Sequence, residues 1–277
     1  MKKFSTGQRQ FGLSLIELLT VMIIGLFITA GISSVYVGNK RTSMTTDELS
    51  LLQANGRSVL EQLTEVIQHT GYKSTRSPLG KDMFILGPVA TSMCSGGADS
   101  VVNTSLFSPT QNDTTHGDTI GVVYLGDDSL TTDCTGTVIP ADCRLSVVSS
   151  APVEAARVYN YFKAGVNANG MPVLLCSGSL APTEEEIAEG VENLQFSYGE
   201  DANSDGVPDR FVSSDEVSNW GSIVSVNVAV LVRSLRPVAI HASVRSYQLL
   251  DDVVINTNDK FLRAVFTATI RLRNATS

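Results

Sequence analysis

Histidine is nearly absent from this chain, with His69, His116 and His241 the only three among 277 residues. No HExxH pair, no GxSxG elbow and no glycine-rich phosphate cradle accompanies them. The chain is therefore not expected to be an enzyme. Charge is sparse, at 17% of residues, and its balance is acidic, with 28 Asp and Glu against 20 Lys and Arg, net −8. A nucleic-acid binder needs a basic patch, so no nucleic-acid contact is expected. There are four cysteines, and no two of them have the CxxC spacing of a zinc ribbon. The single tryptophan, Trp220, is expected as an ordinary packed aromatic. There is neither an internal repeat nor a low-complexity linker.

What the chain does have is a long apolar run at residues 11–32, FGLSLIELLTVMIIGLFITAGI. From Leu13 to Ile32 it holds no Lys, Arg, Asp or Asn, and its one charge is Glu17. About 20 apolar residues suffice to cross a bilayer core as a helix. A secretory signal has a shorter apolar core, of about 7 to 15 residues, followed by a small-residue cleavage site. Here the small residue, Gly12, comes first, after a leader with Lys2, Lys3 and Arg9. The basic leader fits a cytoplasmic N-terminus and a head in the periplasm. A carboxylate within such a run costs roughly 2.5 kcal/mol or more and is usually paired and functional. A cut after Gly12 would free an α-amine on Leu13, about one helical turn before Glu17.

Gly12-Leu13-Ser14-Leu15-Ile16-Glu17-Leu18 behind a basic leader resembles the type IV prepilin signature. It departs at Leu13, where the family usually has Phe. The resemblance implies cleavage by a prepilin peptidase between Gly12 and Leu13, and methylation of the Leu13 amine. It implies that Glu17 sets subunit register by pairing with a neighbour's N-terminus. The subunit would sit in the inner membrane as a single span, with lipid around the helix, and then join a pilus on the cell surface. Loss of the three leader cations takes the net charge from −8 to −11.

The organisation read from the sequence is a leader at 1–12 and a transmembrane or filament-core helix at 13–32. An amphipathic continuation at 33–72 and a β-rich head at 73–277 follow. In the continuation Leu49, Leu52, Val59, Leu60, Leu63, Val66 and Ile67 recur at helical spacing. A helix from Leu13 to about Tyr72 would be about 85 Å long. Gly25, Gly31 and Gly38 would weaken it locally or let helices pack closely.

The head opens with a turn signal, Ser77-Pro78-Leu79-Gly80, and a Ser/Thr/Gly/Asn-rich loop region at 81–119 with short strands, Met83 to Leu86 among them. Strands are expected at 119–125, 157–163, 171–176 and 191–198, with a turn or short helix start at 181–186. Val224, Val226, Val228, Val230 and Val232 share one face by period-2 alternation. So do Leu262, Ala264, Phe266, Ala268, Ile270 and Leu272, a face suited to covering the long helix. The segment 236–260 between these strands reads as a polar loop. The expected fold class is α+β: a long helix on a mostly antiparallel sheet, type IV pilin-like.

Cys94, Cys134, Cys143 and Cys176 all lie in the head, and an even number in an exported domain suggests disulfides. Four cysteines allow three pairings. The short loop CTGTVIPADC favours Cys134 with Cys143, and Cys94 with Cys176.

One stretch has the pattern of a metal loop. In DANSDGVPD, Asp201, Asn203 and Asp205 alternate, and Gly206, the Val207 carbonyl and Asp209 follow. Calcium wants six to eight oxygens on a flexible loop, and this spacing wraps oxygens around one centre. The twelfth position is Val212 where an EF-hand loop has its bidentate Glu, so a closing carboxylate would have to come from Asp215, Glu216 or elsewhere. The other reading is an acidic turn between strands.

The C-terminal third, from VENLQFSYGEDANSDGVPDRFV through Trp220 to the closing LRN, resembles PilW-type minor pilins. That resemblance implies a minor pilin acting in pilus assembly with other minor pilins, the major pilin and an inner-membrane assembly platform. A minor pseudopilin of type II secretion shares the N-terminal signature. A calcium-dependent adhesive head on a pilin stem is the third possibility.

Overall fold

The computed structural model describes residues 14–72, 83–86, 110–114, 116–145, 156–178, 184–250 and 253–275. The expected turn at 77–80 and most of the 81–119 stretch lie outside them. The chain divides into two units, Met1–Asp47 and Glu48–Ser277. One helix, α1 (Leu15–Gln68, 54 residues), contributes to both.

In the first unit the apolar side chains of α1 are exposed all round, with Leu15 at 77% and Phe27 at 77%. A helix apolar on every face leaves none for water. In the second unit α1 is amphipathic. Glu48, Leu52, Gly56, Val59, Leu63 and Ile67 are buried at steps of three and four residues. Leu49, expected on this face, is 44% exposed. The ridge running back from Leu52 by four reaches Glu48 instead, whose carboxylate accepts the Arg236 backbone N–H at 3.3 Å.

The helix stops at Gln68 rather than Tyr72. Gly71 reverses the chain at φ +69°, and its N–H donates to the Val123 carbonyl at 2.8 Å. The Asn274 amide donates to the Gln68 and Thr70 carbonyls at 3.4 and 3.2 Å. It thus supplies donors that a helix end otherwise lacks.

Among the described residues the strands are β1 (Thr110–Thr114), β2 (Gly117–Leu125), β3 (Arg157–Val166), β4 (Pro172–Gly178), β5 (Glu185–Glu189) and β6 (Val191–Glu200). They continue with β7 (Arg210–Val212), β8 (Ile223–Arg233), β9 (Ser243–Gln248), β10 (Val254–Asp259) and β11 (Arg263–Arg271). Nine form one sheet in the order β11-β8-β6-β2-β3-β4-β5, with β1 on β2 and β7 on β6. Its pairings are antiparallel except at β2 and β6, which meet in parallel at Gly117 and Leu194. Gly117 has φ +94° and lies so close to the Leu194 carbonyl that a Cβ would overlap it. Next to it the buried Asp118 carboxylate accepts the Phe196 N–H at 2.8 Å. Met83–Leu86 forms a single bridge, Phe84 with Val122, rather than a strand.

One face of the sheet carries the main core. Val226, Val228, Val230 and Val232 of β8 and Leu194, Phe196 and Tyr198 of β6 pack with the buried stripe of α1. Around β11, Leu262, Ala264, Phe266, Ala268, Ile270 and Leu272 join them as the alternation implies. The Phe266 ring occupies the space where a Cβ of Gly56 would stand. The fold class is therefore α+β, a long helix on a mostly antiparallel sheet.

Two expectations are corrected here. The segment 236–260 is not only a polar loop, because β9 and β10 pair antiparallel as a separate hairpin. Tyr247, Leu249 and Ile255 pack on Ala229 and Leu231, the other face of β8. So few apolar residues make a weak periodic signal, and tertiary cover decides the outcome. Likewise Glu185–Glu189 is a strand, not a turn or helix start, because it pairs with β4. Its acidic side chains suit an edge position that must avoid pairing with other chains.

Candidate functional site

The anchor is built locally. The Ser14 carbonyl accepts the Glu17 and Leu18 N–H groups at 3.0 and 3.2 Å, which places the Glu17 carboxylate in the exposed first turn of α1. A negative charge is favoured there by the helix dipole. The Thr20 and Thr29 hydroxyls donate to carbonyls of their own helix, at Glu17 and at Gly25, each at 2.9 Å. Such internal pairing suits an apolar medium. α1 is long and apolar enough to cross a membrane. Gly12 and Leu13, the expected cleavage and methylation positions, lie outside the described residues.

The 201–209 loop is closed by its own backbone. The Asp201 carboxylate accepts from Ser204 N (2.6 Å), Asp205 N (3.2 Å) and Gly206 N (2.8 Å). Burial alone would raise its pKa; donors from Gly206, Ser204, Asp205 and Asn203 outweigh that and hold it below the usual carboxylate range. The Asn203 side chain accepts from Asp205 N at 2.9 Å, and the Asp205 side chain from Val207 N at 2.9 Å. Asp209 accepts from Ala202 N at 2.8 Å and from the Asn203 amide at 3.3 Å. Ser204 has φ +63°, and Gly206 has φ +83°. The Asp215 carboxylate is held by the Ser213 hydroxyl at 2.6 Å. Among the described residues no group of three or more His, Cys, Asp or Glu side chains converges as a metal set. The side-chain oxygens of Asp201, Asn203, Asp205 and Asp209 lie on one loop, each accepting from its backbone N–H groups.

The expected cysteine pairing is overturned. Cys134 is bonded to Cys176, 42 residues away, with Cα atoms 6.3 Å apart. Neither Cys134–Cys143 nor Cys94–Cys176 can then form. Closeness in sequence was the wrong guide. The Asn160 side chain of β3 accepts the Cys134 N–H at 2.6 Å, and β3 pairs with the strand that carries Cys176. Cys143 is turned instead into a cluster with Tyr124, Ile139 and Val158, and is itself disulfide-bonded. Cys94 lies outside the described residues.

Sequence reasoning missed a charged clamp. The Arg263 side chain, 4% exposed, donates to Glu192 at 2.5 and 2.9 Å and to Asp259 at 2.8 and 2.7 Å. Arg233 reaches Glu192 at 3.4 Å and lies 4.2 Å above the Phe261 ring. Burial would lower the Arg263 pKa, but the carboxylates of Asp259 and Glu192 reverse that and raise it. The clamp joins β6, β8, β10 and β11. The only signal for it was a charge at each of four strand ends.

The histidines are scattered. His69 follows the end of α1 beside Tyr124, His116 places Nδ1 3.2 Å from the Glu192 carbonyl, and His241 is exposed. Trp220 packs against Tyr198 and Phe84, with ring centroids 4.8 and 5.0 Å apart, as an ordinary packed aromatic does.

The described residues thus combine a helix long and apolar enough to cross a membrane with an α+β head. Residues 161–274 match the family model described as Type IV Pilus-assembly protein W. A solved structure, a type IV-like pilin from Thermus thermophilus, aligns at 14% identity and TM-score 0.41, covering 84% of this chain and 98% of that one. No curated protein matches the chain significantly.

Proposed function

We propose that this chain is a minor pilin that takes part in initiating type IV pilus assembly and enters the pilus through its N-terminal helix. The observation that carries the reading is the pairing of a PilW-type head with a helix whose apolar side chains are exposed on every side. Such a surface needs lipid before assembly and other helices after it. Its work is assembly rather than turnover. A prepilin peptidase would cut between Gly12 and Leu13, and the new amine would be methylated. Glu17 would then pair with a neighbour's N-terminus, since an unpaired carboxylate among packed apolar helices is costly. Other minor pilins, the major pilin and the inner-membrane platform are the partners this role requires, with the head on the periplasmic side. Glu17→Ala should leave membrane insertion intact and reduce incorporation into sheared filaments. Unchanged incorporation would remove the register role.

We also propose calcium as an ordering ion for the 201–209 loop, supported by the alternation of Asp201, Asn203, Asp205, the Val207 carbonyl and Asp209. Asp205→Ala should abolish any rise in head melting temperature on adding calcium. A wild-type melting temperature that ignores calcium would dismiss the ion.

A further inference from the structure

Between Glu17 and Asp47 the chain carries no other Asp or Glu, and its only Lys and Arg there are Lys40 and Arg41. Both are exposed on α1, and neither takes part in an ion pair among the described residues. We propose that this pair holds the phosphate groups of anionic lipids at the membrane surface farther from Glu17, and so fixes the depth at which the subunit waits before assembly. The inference rests on the reading of α1 as a membrane span.

Spacing sets the frame. Glu17 and Lys40 are 23 residues apart, which is about 35 Å along a helix. A bilayer core is about 30 Å thick, and about 40–45 Å with its headgroups. Residues 18–39 therefore fill the core, and both charged ends fall in the headgroup layers. Confining the core to 13–32 fits worse. It would leave Val35, Tyr36 and Val37, which are 62%, 66% and 46% exposed, outside the hydrocarbon. It would also lift Lys40 about 12 Å above the core edge, beyond a headgroup layer of about 5–8 Å.

Side-chain direction favours the same contact. Cα–Cβ bonds tilt toward a helix N-terminus, here the membrane side, so the Lys40 and Arg41 stems lean back toward the lipid. Tyr36 stands one turn below Lys40, and Val37 one turn below Arg41, each on the same face. An aromatic ring with a polar tip suits the interface there. In the following turn the Thr42 and Thr45 hydroxyls donate to the Gly38 and Arg41 carbonyls at 3.1 and 3.0 Å. A zwitterionic headgroup brings its own cation beside each phosphate, whereas an anionic one offers net negative charge to the pair. Held at this depth, Glu17 stands in the opposite headgroup layer, reachable by an incoming subunit's amine rather than sunk in hydrocarbon.

The test places the full chain in nanodiscs of phosphatidylcholine and phosphatidylglycerol in equal parts, and counts by native mass spectrometry the lipids it keeps. Each cation near a membrane surface is worth about fivefold, so phosphatidylglycerol should be kept about thirtyfold over phosphatidylcholine, and less so in high salt. Lys40→Gln with Arg41→Gln should abolish the preference, and Lys40→Arg with Arg41→Lys should retain it. Gln is a good helix former at an exposed site, so the neutral variant keeps its helix, and Trp220 emission checks the head. Equal retention of the two lipids, a preference unchanged in the neutral variant, or displacement of phosphatidylglycerol by inorganic phosphate would each overturn the proposal. Flotation with vesicles separates the two failures. A chain that floats without a lipid preference removes this inference alone, and one that does not float removes the membrane span beneath it.

Discussion

Replacing Arg263 by Met tests how the hairpin β9–β10 is held to the sheet. Met keeps most of the buried stem and removes the guanidinium, with its four hydrogen bonds to Glu192 and Asp259. Removing one partner of a buried ion pair costs about 3–5 kcal/mol, because the other charge is left uncompensated. Here the low end applies. The Glu192 and Asp259 side chains keep 16% and 34% exposure, and Arg233 remains 3.4 Å from Glu192. The expected loss is therefore about 3 kcal/mol, or roughly 6–12 °C in melting temperature for a unit of this size.

Trp220, the only tryptophan, is packed in the head and not in the membrane helix, so its emission during urea titration in detergent follows head unfolding alone. Glu192→Gln in the Arg263→Met background should cost less than in wild type, with a coupling of at least about 1 kcal/mol. A loss below about 1 kcal/mol, or strict additivity, would refute the clamp as a stabilising unit.

Gly56→Ala should destabilise the head although Ala is the better helix former by about 1 kcal/mol, because the Phe266 ring fills that space; Gly38→Ala, with nothing within 4 Å, should not. Paired melting curves decide this, and a gain at Gly56 would contradict the packing. Non-reducing peptide mapping should give a Cys134–Cys176 linked peptide, and Cys176→Ser should cost about 2–5 kcal/mol. A Cys134–Cys143 peptide would overturn that connectivity. Acid should unfold the head through Glu200 and Asp259, whose pKa values are lowered chiefly by the Arg210 and Arg263 hydrogen bonds, against partial burial. Groups depressed in the folded state stabilise it above their unfolded values near about 4, and that stability is lost as pH falls through the folded values. A Trp220-monitored acid titration with no loss below about pH 4 would contradict this.

Much of the architecture was legible because it rests on periodicity. The apolar run at 11–32, the Leu52–Leu63–Ile67 stripe and the alternating valines of β8 each encode one face, and burial follows. The hairpin β9–β10 was not legible. Tyr247 and Ile255 are too few to outweigh the polar residues around them, and only the second buried face of β8 reveals why they matter. Glu185–Glu189 misled for the same reason, since a strand partner overrode local preference. The disulfide failed differently: short loops suggest short bridges, whereas strand register decides which sulfurs meet. The place of Glu17 in the first turn of a long apolar helix was legible because a lone carboxylate in an apolar run is conspicuous. The Arg263 clamp was not, because its members are scattered from 192 to 263 and look like ordinary surface charges.

The central claim is that this subunit is processed after Gly12 and enters a filament. Peptide mass spectrometry on sheared surface filaments, with the membrane fraction measured alongside, tests it most directly. The account predicts a chain starting at methylated Leu13 in the filaments. A chain that still begins at Met1 would contradict it, and a processed chain confined to the membranes would contradict incorporation into the pilus.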